Sequence, residues 1–397
     1  LRYVCVRLSA EDRGDLSVYQ YAMTLCAVCV CLERTETAPD QAIDEQPLYT
    51  LFSLDMSGIQ AFLYTISSKG ALKSRRSRSF YLSMLREHVV DVVLEACRLT
   101  RINLIYCGGG KAHLLLPCDG HSQKAAHGVV TQCNDFFRAR FGTALFLSDG
   151  WTDVKANALR GGGKENPLGD AFRASAEMIS ERKATRYTAD EYRSLNHEEL
   201  SRAEHECAIC GSIHNTRLRD EDWLCDSCLL LEQFSASLLQ NDQVFSVVSR
   251  PRGASLELPC DRYLVCLSEQ ELAQGQAGEA PARVYTVNHS RGLRGAIDLR
   301  IGNYQPSASI TLEQLADSSR GLCRLGVLRA DVDDLGALFA RGLADHTKAE
   351  PYRHVTLARY GMLSMAVSDF FQDEINRVVA NAEPRLTDVR PTATRMT

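Results

Sequence analysis

The order of apolar runs and turns predicts an α+β chain. It is built on a ferredoxin-like βαββαβ unit with a zinc-ribbon-type insert, followed by the start of a second such unit. Three observations carry that prediction. Residues 48–148 alternate strand-like and helix-like runs in the split βαβ order. Cys207, Cys210, Cys225 and Cys228 form two C-x-x-C pairs fourteen residues apart. The stretch Leu54-Asp55-Met56-Ser57-Gly58-Ile59-Gln60-Ala61 is echoed by Ala330-Asp331-Val332-Asp333-Asp334-Leu335-Gly336-Ala337, each reading as a strand that ends on Asp-x-polar and turns into a helix.

In chain order, residues 15–32 read as a helix and 34–47 as a polar, Pro-punctuated linker, which sets a domain boundary near 47. A strand (48–55), a helix (58–67), a basic loop, a helix (79–98) and strands at 102–107 and 111–116 around Gly108-Gly109-Gly110 follow. A helix (122–141) and a strand (143–148) complete the unit. Residues 150–205 are charged and mostly helical, so the first globular domain is assigned to 48–200. The cysteine insert takes 201–234, short β-like runs make a connector at 235–320, and 321–397 opens the second unit with a strand-to-helix turn and a long amphipathic helix over 351–382.

With 397 residues, 45% of them hydrophobic, the chain can bury two or three cores. Its net charge of -5 excludes a protein that is basic throughout, so nucleic-acid contact would fall to local patches. Lys69, Lys73, Arg75, Arg76 and Arg78 form one, and Arg291, Arg294 and Arg300 a looser second; each reads equally as a solvated loop or a phosphate contact. The longest apolar run, residues 21–32, is shorter than the ~20 residues a spanning helix needs, so it reads as a buried helix. The charged first residues lack the apolar core of a signal peptide, and eleven of the 15 cysteines are scattered, which fits a reduced, cytoplasmic protein with no membrane contact. Opening on Leu1 and closing on a polar tail, the sequence reads as a fragment.

The chemistry concentrates at three places. Side chains alternate along a strand, so Asp331 and Asp333 share a face, as do Asp55 and Ser57. Two carboxylates on a strand end can hold Mg²⁺ with substrate phosphates, while helix N-capping is the competing role. The triple-glycine turn lets backbone amides approach phosphates or a base. The four cysteines suit tetrahedral Zn²⁺ in a closed, structural site; a redox pair is the competing reading.

Leu54–Val89, Asn103–Pro117, the paired C-x-x-C and Arg324–Gly336 occur in the order and style of the large subunit of type III-A CRISPR effector complexes, which the chain resembles. The resemblance to this Cas-ten family runs from about residue 15 to 382. It implies two palm domains with a zinc module between them, working within a CRISPR RNA-guided complex of several subunits. On binding target RNA, the paired palms of this family convert ATP into cyclic oligoadenylates, and an N-terminal HD domain cuts single-stranded DNA. By the same resemblance, Ser57, Gly58, Gly108, Gly109 and Gly110 bind ATP in the first palm, Asp331 and Asp333 sit at Mg²⁺ or Mn²⁺ in the second, and Cys207, Cys210, Cys225 and Cys228 hold structural Zn²⁺. The family's Gly-Gly-Asp-Asp hairpin occurs nowhere in the chain, and no His-Asp pair lies in residues 1–47, which read as the remnant of the HD-type domain and a linker. As written, the chain is expected to complete neither reaction; a non-catalytic ATP-binding scaffold is the alternative.

Overall fold

The computed structural model describes residues 5–6, 14, 16–35, 46–64, 71–160, 163–197, 205–213, 215–219, 221–238, 243–253, 255–275, 281–288, 293, 295–299, 312–319, 322–326, 333–374 and 377–378. Two compact units emerge. The first comprises Leu1–Gly58, Arg86–Asp190 and Ala330–Ser368; the second comprises Ile59–Leu85, Glu191–Arg329 and Asp369–Thr397.

The chain begins with a two-residue pair of strands, β1 (Cys5–Val6) and β2 (Leu16–Ser17), and helix α1 (Val18–Arg34). Ser17 caps α1 by accepting from the Gln20 amide. Strand β3 (Pro47–Ser57) then leads to α2 (Ile59–Tyr64) and to the long α3 (Ala71–Ala96). β4 (Leu104–Gly108), β5 (Lys111–Leu116), α4 (His121–Phe141) and β6 (Phe146–Lys155) complete the predicted order. Strand order in the sheet is β4-β5-β3-β6, antiparallel throughout. Helices α5 (Pro167–Ala184) and α6 (Ala189–His197) follow.

β3 is central, and its apolar run is buried on both faces, as expected of a strand covered on both sides. Tyr49 and Leu51 join Ala27, Cys31, Leu115, Val154, Leu168 and Tyr360 in one core. On the other face Phe52 stacks on Trp151, and α4 is tied down where Gln123 Nε2 donates to Thr50 Oγ1 at 2.8 Å. At the β6 edge the buried Asp149 carboxylate joins His127 of α4, at 2.8 Å, to Arg182 of α5. Two glycines are dictated by close approach. A Cβ on Gly150 would collide with the Ser175 carbonyl of α5, and one on Gly58 would collide with the Ala144 carbonyl; Gly58 also has φ +91°, which side chains resist.

In the second unit, β7 (Thr216–Arg219) and β8 (Asp222–Cys225) form a hairpin, followed by α7 (Asp226–Ser237). β9 (Gln243–Val248), β10 (Ser255–Leu258), β11 (Arg262–Ser268), α8 (Glu269–Ala273), β12 (Arg283–Val287) and β13 (Ile297–Leu299) come next, then the short α9 (Leu312–Asp317). The five strands are ordered β10-β11-β9-β12-β13, with only the last pair parallel. Phe80 of α3 packs on Phe245 of β9, and the Tyr81 hydroxyl donates to the Glu257 carbonyl at 2.7 Å. In the first unit again come α10 (Leu335–Arg341) and α11 (Leu357–Asp369), and a π-helical turn at Phe370–Glu374 is assigned to the second unit.

Several expectations are corrected. The basic segment 69–78 is not a loop: from Ala71 it is the start of α3, because Arg76 and Arg78 find partners inside the second unit and the intervening residues are good helix formers. The final strand of the unit runs to Lys155 rather than 148, since its ladder with β3 continues to Pro47. The helix expected over 351–382 begins only at Leu357, after turns at 351–354. Of the strand expected before Asp331, residues 322–326 are described, exposed and without regular structure, and residues 327–332, Asp331 among them, lie outside the described residues. No helix among the described residues is long and apolar enough to cross a membrane.

Candidate functional site

The triple-glycine turn joins β4 to β5 with Gly109 at φ +58° and Gly110 at φ +84°, a left-handed bend that glycine adopts without strain. Met56 N–H donates to the Gly110 carbonyl at 2.8 Å and pins the turn against the end of β3. The resulting register places Asp55 opposite Lys111 and Ser53 opposite His113. Alternation then turns these four side chains to one face.

That face floors a cavity of about 600 Å³ within the first unit. The size is typical of a small-ligand pocket. Its walls carry aromatic rings from four elements: Tyr106 of β4, Phe172 of α5, Phe339 of α10 and Tyr360 of α11. Gly108 and Gly109 line one edge, and Lys111, Arg173 and Lys183 supply positive charge. Asp55 is 8% exposed, with Lys183 Nζ at 2.9 Å and Lys111 Nζ at 3.7 Å from its Oδ2. Two ammonium groups thus offset the charge of this carboxylate, which itself lines the cavity.

His113 is hydrogen-bonded to Ser53 Oγ through Nδ1 at 2.8 Å and lies between Tyr106 and Phe172 at centroid distances of 5.7 and 5.0 Å. Burial first, and the Lys111 charge second, lower its pKa from 6.5 to about 4. The neutral imidazole is thus the folded form. Because the unfolded chain takes up this proton near pH 6.5 and the folded chain only near 4, stability is lost as pH falls through that window and is fully present above it. A stability profile between pH 7 and 4 should show a loss of about 3 kcal/mol at most from this residue, and His113→Gln, which retains a hydrogen-bonding group and cannot charge, should flatten that part of the curve. An unchanged profile in His113→Gln would contradict the assignment.

The sequence-derived site residues divide between lining and support. Gly108 and Gly109 line the cavity; Ser57, Gly58 and Gly110 do not. Ser57 is half-buried at the end of β3, paired with Phe146. Asp333 is exposed, and the residue at the N-cap of α10 is Asp334, whose side chain makes no capping bond. Two and six residues beyond Asp333, Leu335 and Phe339 reach the cavity wall. Reading the sequence missed Lys111, His113, Lys183 and the aromatic walls. Lys111 and His113 could have been found from register, by pairing the two strands across the triple glycine; Lys183 and Phe172, on a separate helix, carried no such signal.

The second unit holds the other constellation. Cys207 and Cys210 sit in a knuckle in which Gly211 N–H donates to the Cys207 carbonyl at 2.8 Å; Cys225 ends β8 and Cys228 lies in the first turn of α7. All four Sγ atoms lie within 4.8 Å of one another, and Cys210 and Cys225 are 3.7 Å apart. Tetrahedral Zn–S bonds of about 2.3 Å require sulfurs roughly 3.8 Å apart, so this donor set fits zinc in number, type and spacing. Hydrogen bonds from Cys210, Cys225 and Cys228 hold the Cys207 thiol far below its ordinary range, whereas the shared protons push Cys225 and Cys228 up. His205 stacks on Trp223 at 4.1 Å, and His214 lies outside the described residues.

Residues 48–198 match the family described as Csm1 subunit domain B. The CRISPR system single-strand-specific deoxyribonuclease Cas10/Csm1 (subtype III-A) of Mycobacterium tuberculosis is 30% identical over 409 residues, covering 97% of this chain and 50% of that protein. Its counterpart from Streptococcus thermophilus is 30% identical over 347 residues, covering 86% and 44%. Among solved structures, the Csm1–Csm4 cassette in complex with cA3 superposes with a TM-score of 0.71 at 20% identity, over 95% of this chain and 48% of that one. The cassette in complex with one ATP gives 0.69 at 19% identity, over 92% and 45%. The chain spans about half the length of the relatives it matches. Over nearly its whole length the chain is similar to the Cas10/Csm1 large subunit of type III-A CRISPR systems.

Proposed function

We propose that this chain is the ATP-binding part of a type III-A large subunit whose intact form converts ATP into cyclic oligoadenylates when a CRISPR RNA-guided complex binds target RNA, and cuts single-stranded DNA. The observation that carries the reading is the cavity on the β3–β5 face, where a side-chain-free edge at Gly108 and Gly109, three cations and four aromatic rings converge. Triphosphate oxygens would draw Lys111 and Lys183 from Asp55, the glycine edge would admit phosphate close to the backbone, and the rings would hold the base. The βαββαβ order and the 2-3-1-4 sequence of its strands support the ferredoxin-like palm, and the four-cysteine hairpin supports a zinc-ribbon-type insert holding structural Zn²⁺.

A bound Mg²⁺ or Mn²⁺ would supply Lewis acidity toward the ribose hydroxyl and offset the charge of pyrophosphate. Asp331 and Asp333 are the residues we assign to hold it. The protein's neighbours would be other complex subunits, a Csm4-type subunit among them, with target RNA and DNA reached through the complex in the cytoplasm. Asp55 favours a second reading for this palm taken alone. Clasped by two lysines, its carboxylate suits binding rather than metal-dependent chemistry, which makes the chain an ATP-binding scaffold.

Calorimetric titration of ATP into the 397-residue chain tests the site. Lys183→Ala should weaken binding about 10- to 100-fold, the loss of one charge-assisted contact, with thermal unfolding followed in parallel to show the fold intact. ATP affinity unaltered in a folded Lys183→Ala protein would overturn the site. For the intact subunit assembled with guide and target RNA, oligoadenylate yield that survives Asp331→Ala would overturn the synthase assignment.

A further inference from the structure

Arg78 is an unusual arginine. It is 3% exposed, in the first half of α3. Its guanidinium donates to the Phe62 carbonyl of α2 at 2.7 Å and to Cys228 Sγ at 3.3 Å, and lies over the Phe62 ring at 4.9 Å. Its Nε is buried with no hydrogen-bond partner, and no carboxylate among the described residues pairs with it. Neighbouring arginines behave differently: Arg76 bonds the Ser235 hydroxyl at 2.9 Å, and Arg75 is exposed beside Tyr64.

A guanidinium does not lose its proton in a protein, so burial leaves it charged. Unpaired, such a charge is strongly destabilising. Four neutral thiols, or two disulfides, would give Arg78 nothing to compensate it. Four thiolates around a divalent cation carry a net charge of about -2, itself buried and in need of a counter-charge. Each group supplies what the other lacks.

We propose that Arg78 is the outer-sphere partner of the four-cysteine centre: by hydrogen-bonding the Cys228 thiolate and offsetting the charge of the loaded site, it sets how tightly metal is kept and anchors α2 to that site. It is a positioning residue and does not ligate the ion. The inference rests on the zinc reading given above. Metal partners in this outer layer are typically worth 10- to 100-fold in affinity.

The experiment uses the whole chain and zinc alone. Metal content of the purified protein is measured first; less than one equivalent of tightly held zinc, with none taken up on addition, would overturn the zinc reading and with it this proposal. With zinc present, transfer to a chelator is timed. Arg78→Leu should release zinc about 10- to 100-fold faster than wild type, Arg78→Lys should recover part of the difference by restoring the charge, and Arg75→Gln should match wild type. Cobalt substitution separates electrostatics from loosened packing. In Arg78→Leu the tetrahedral d–d bands should persist, while the thiolate-to-Co²⁺ charge-transfer band moves to lower energy, since a sulfur that loses a hydrogen bond gives up its electrons more readily. Wild-type release rate and an unmoved charge-transfer band in Arg78→Leu would overturn the proposal while leaving the zinc site standing.

Discussion

The doubly substituted Cys225→Ser, Cys228→Ser chain will purify without zinc and with the β7–β8 hairpin unfolded, while the β3–β6 sheet survives. Among the described residues the local cluster consists of Cys207, Ile209, Leu224, Cys225 and Cys228, with Cys210 and Leu229 packed against it, so the ligands themselves make up most of what could be called a core. Seven residues cannot offset the chain entropy of two knuckles and a hairpin. A structural zinc contributes on the order of 10–16 kcal/mol of apparent binding energy, enough to decide the outcome alone. Chelation of the wild-type protein should reproduce the effect, and hydrogen exchange will show protection lost across residues 205–238. Retained protection in metal-free protein would show that the hairpin folds without its ion.

Gly58→Val should be the most damaging single substitution in the first unit. The residue must turn the chain out of β3 at φ +91°, and the space a Cβ would take is already filled by the Ala144 carbonyl oxygen. Gly58 directly follows β3 and Ala144 lies two residues before β6, where the pairing of Ser57 with Phe146 restrains both segments. Strain at such φ is worth about 1–3 kcal/mol, and the steric collision adds to it, so a loss above about 4 kcal/mol, or failure to fold, is the prediction. Gly109→Ala supplies the contrast. It too has positive φ, but its Cβ would meet only Tyr106 Oη at 3.7 Å, so a cost near 1 kcal/mol follows. Thermal unfolding of the pair measures the difference; equal midpoints would show that the Ala144 contact is not what requires glycine at 58.

These two cases mark how far residue patterns reach. The C-x-x-C pairs were readable because metal geometry imposes short, fixed spacings on the ligands of each knuckle, and a spacing is a property of sequence. Gly58 and the triple glycine were readable as turns, since few other residues adopt left-handed backbone. That Gly58 is required by a carbonyl 86 residues away was not, because Ala144 lies next to it only once β6 has paired with β3. The basic run at 69–78 was misread for the same reason. A composition rich in Lys and Arg looks solvated until a cysteine sulfur and a serine on another helix are brought against Arg78 and Arg76.

By itself, then, the chain's amino-acid order determined its local punctuation: which runs are apolar at period two, where glycine must bend the backbone, and which four thiols can share one ion. Those features depend on neighbours within a few residues, and short-range sterics and ligand spacing write them directly into the sequence. Tertiary structure alone decided that Asp55 is clasped by Lys111 and Lys183, that His113 is walled by rings from separate elements, and that Arg78 faces sulfur rather than water. Each of those pairings joins residues far apart in the chain, and their energies come from desolvation and charge, which exist only after the folded interior has excluded water.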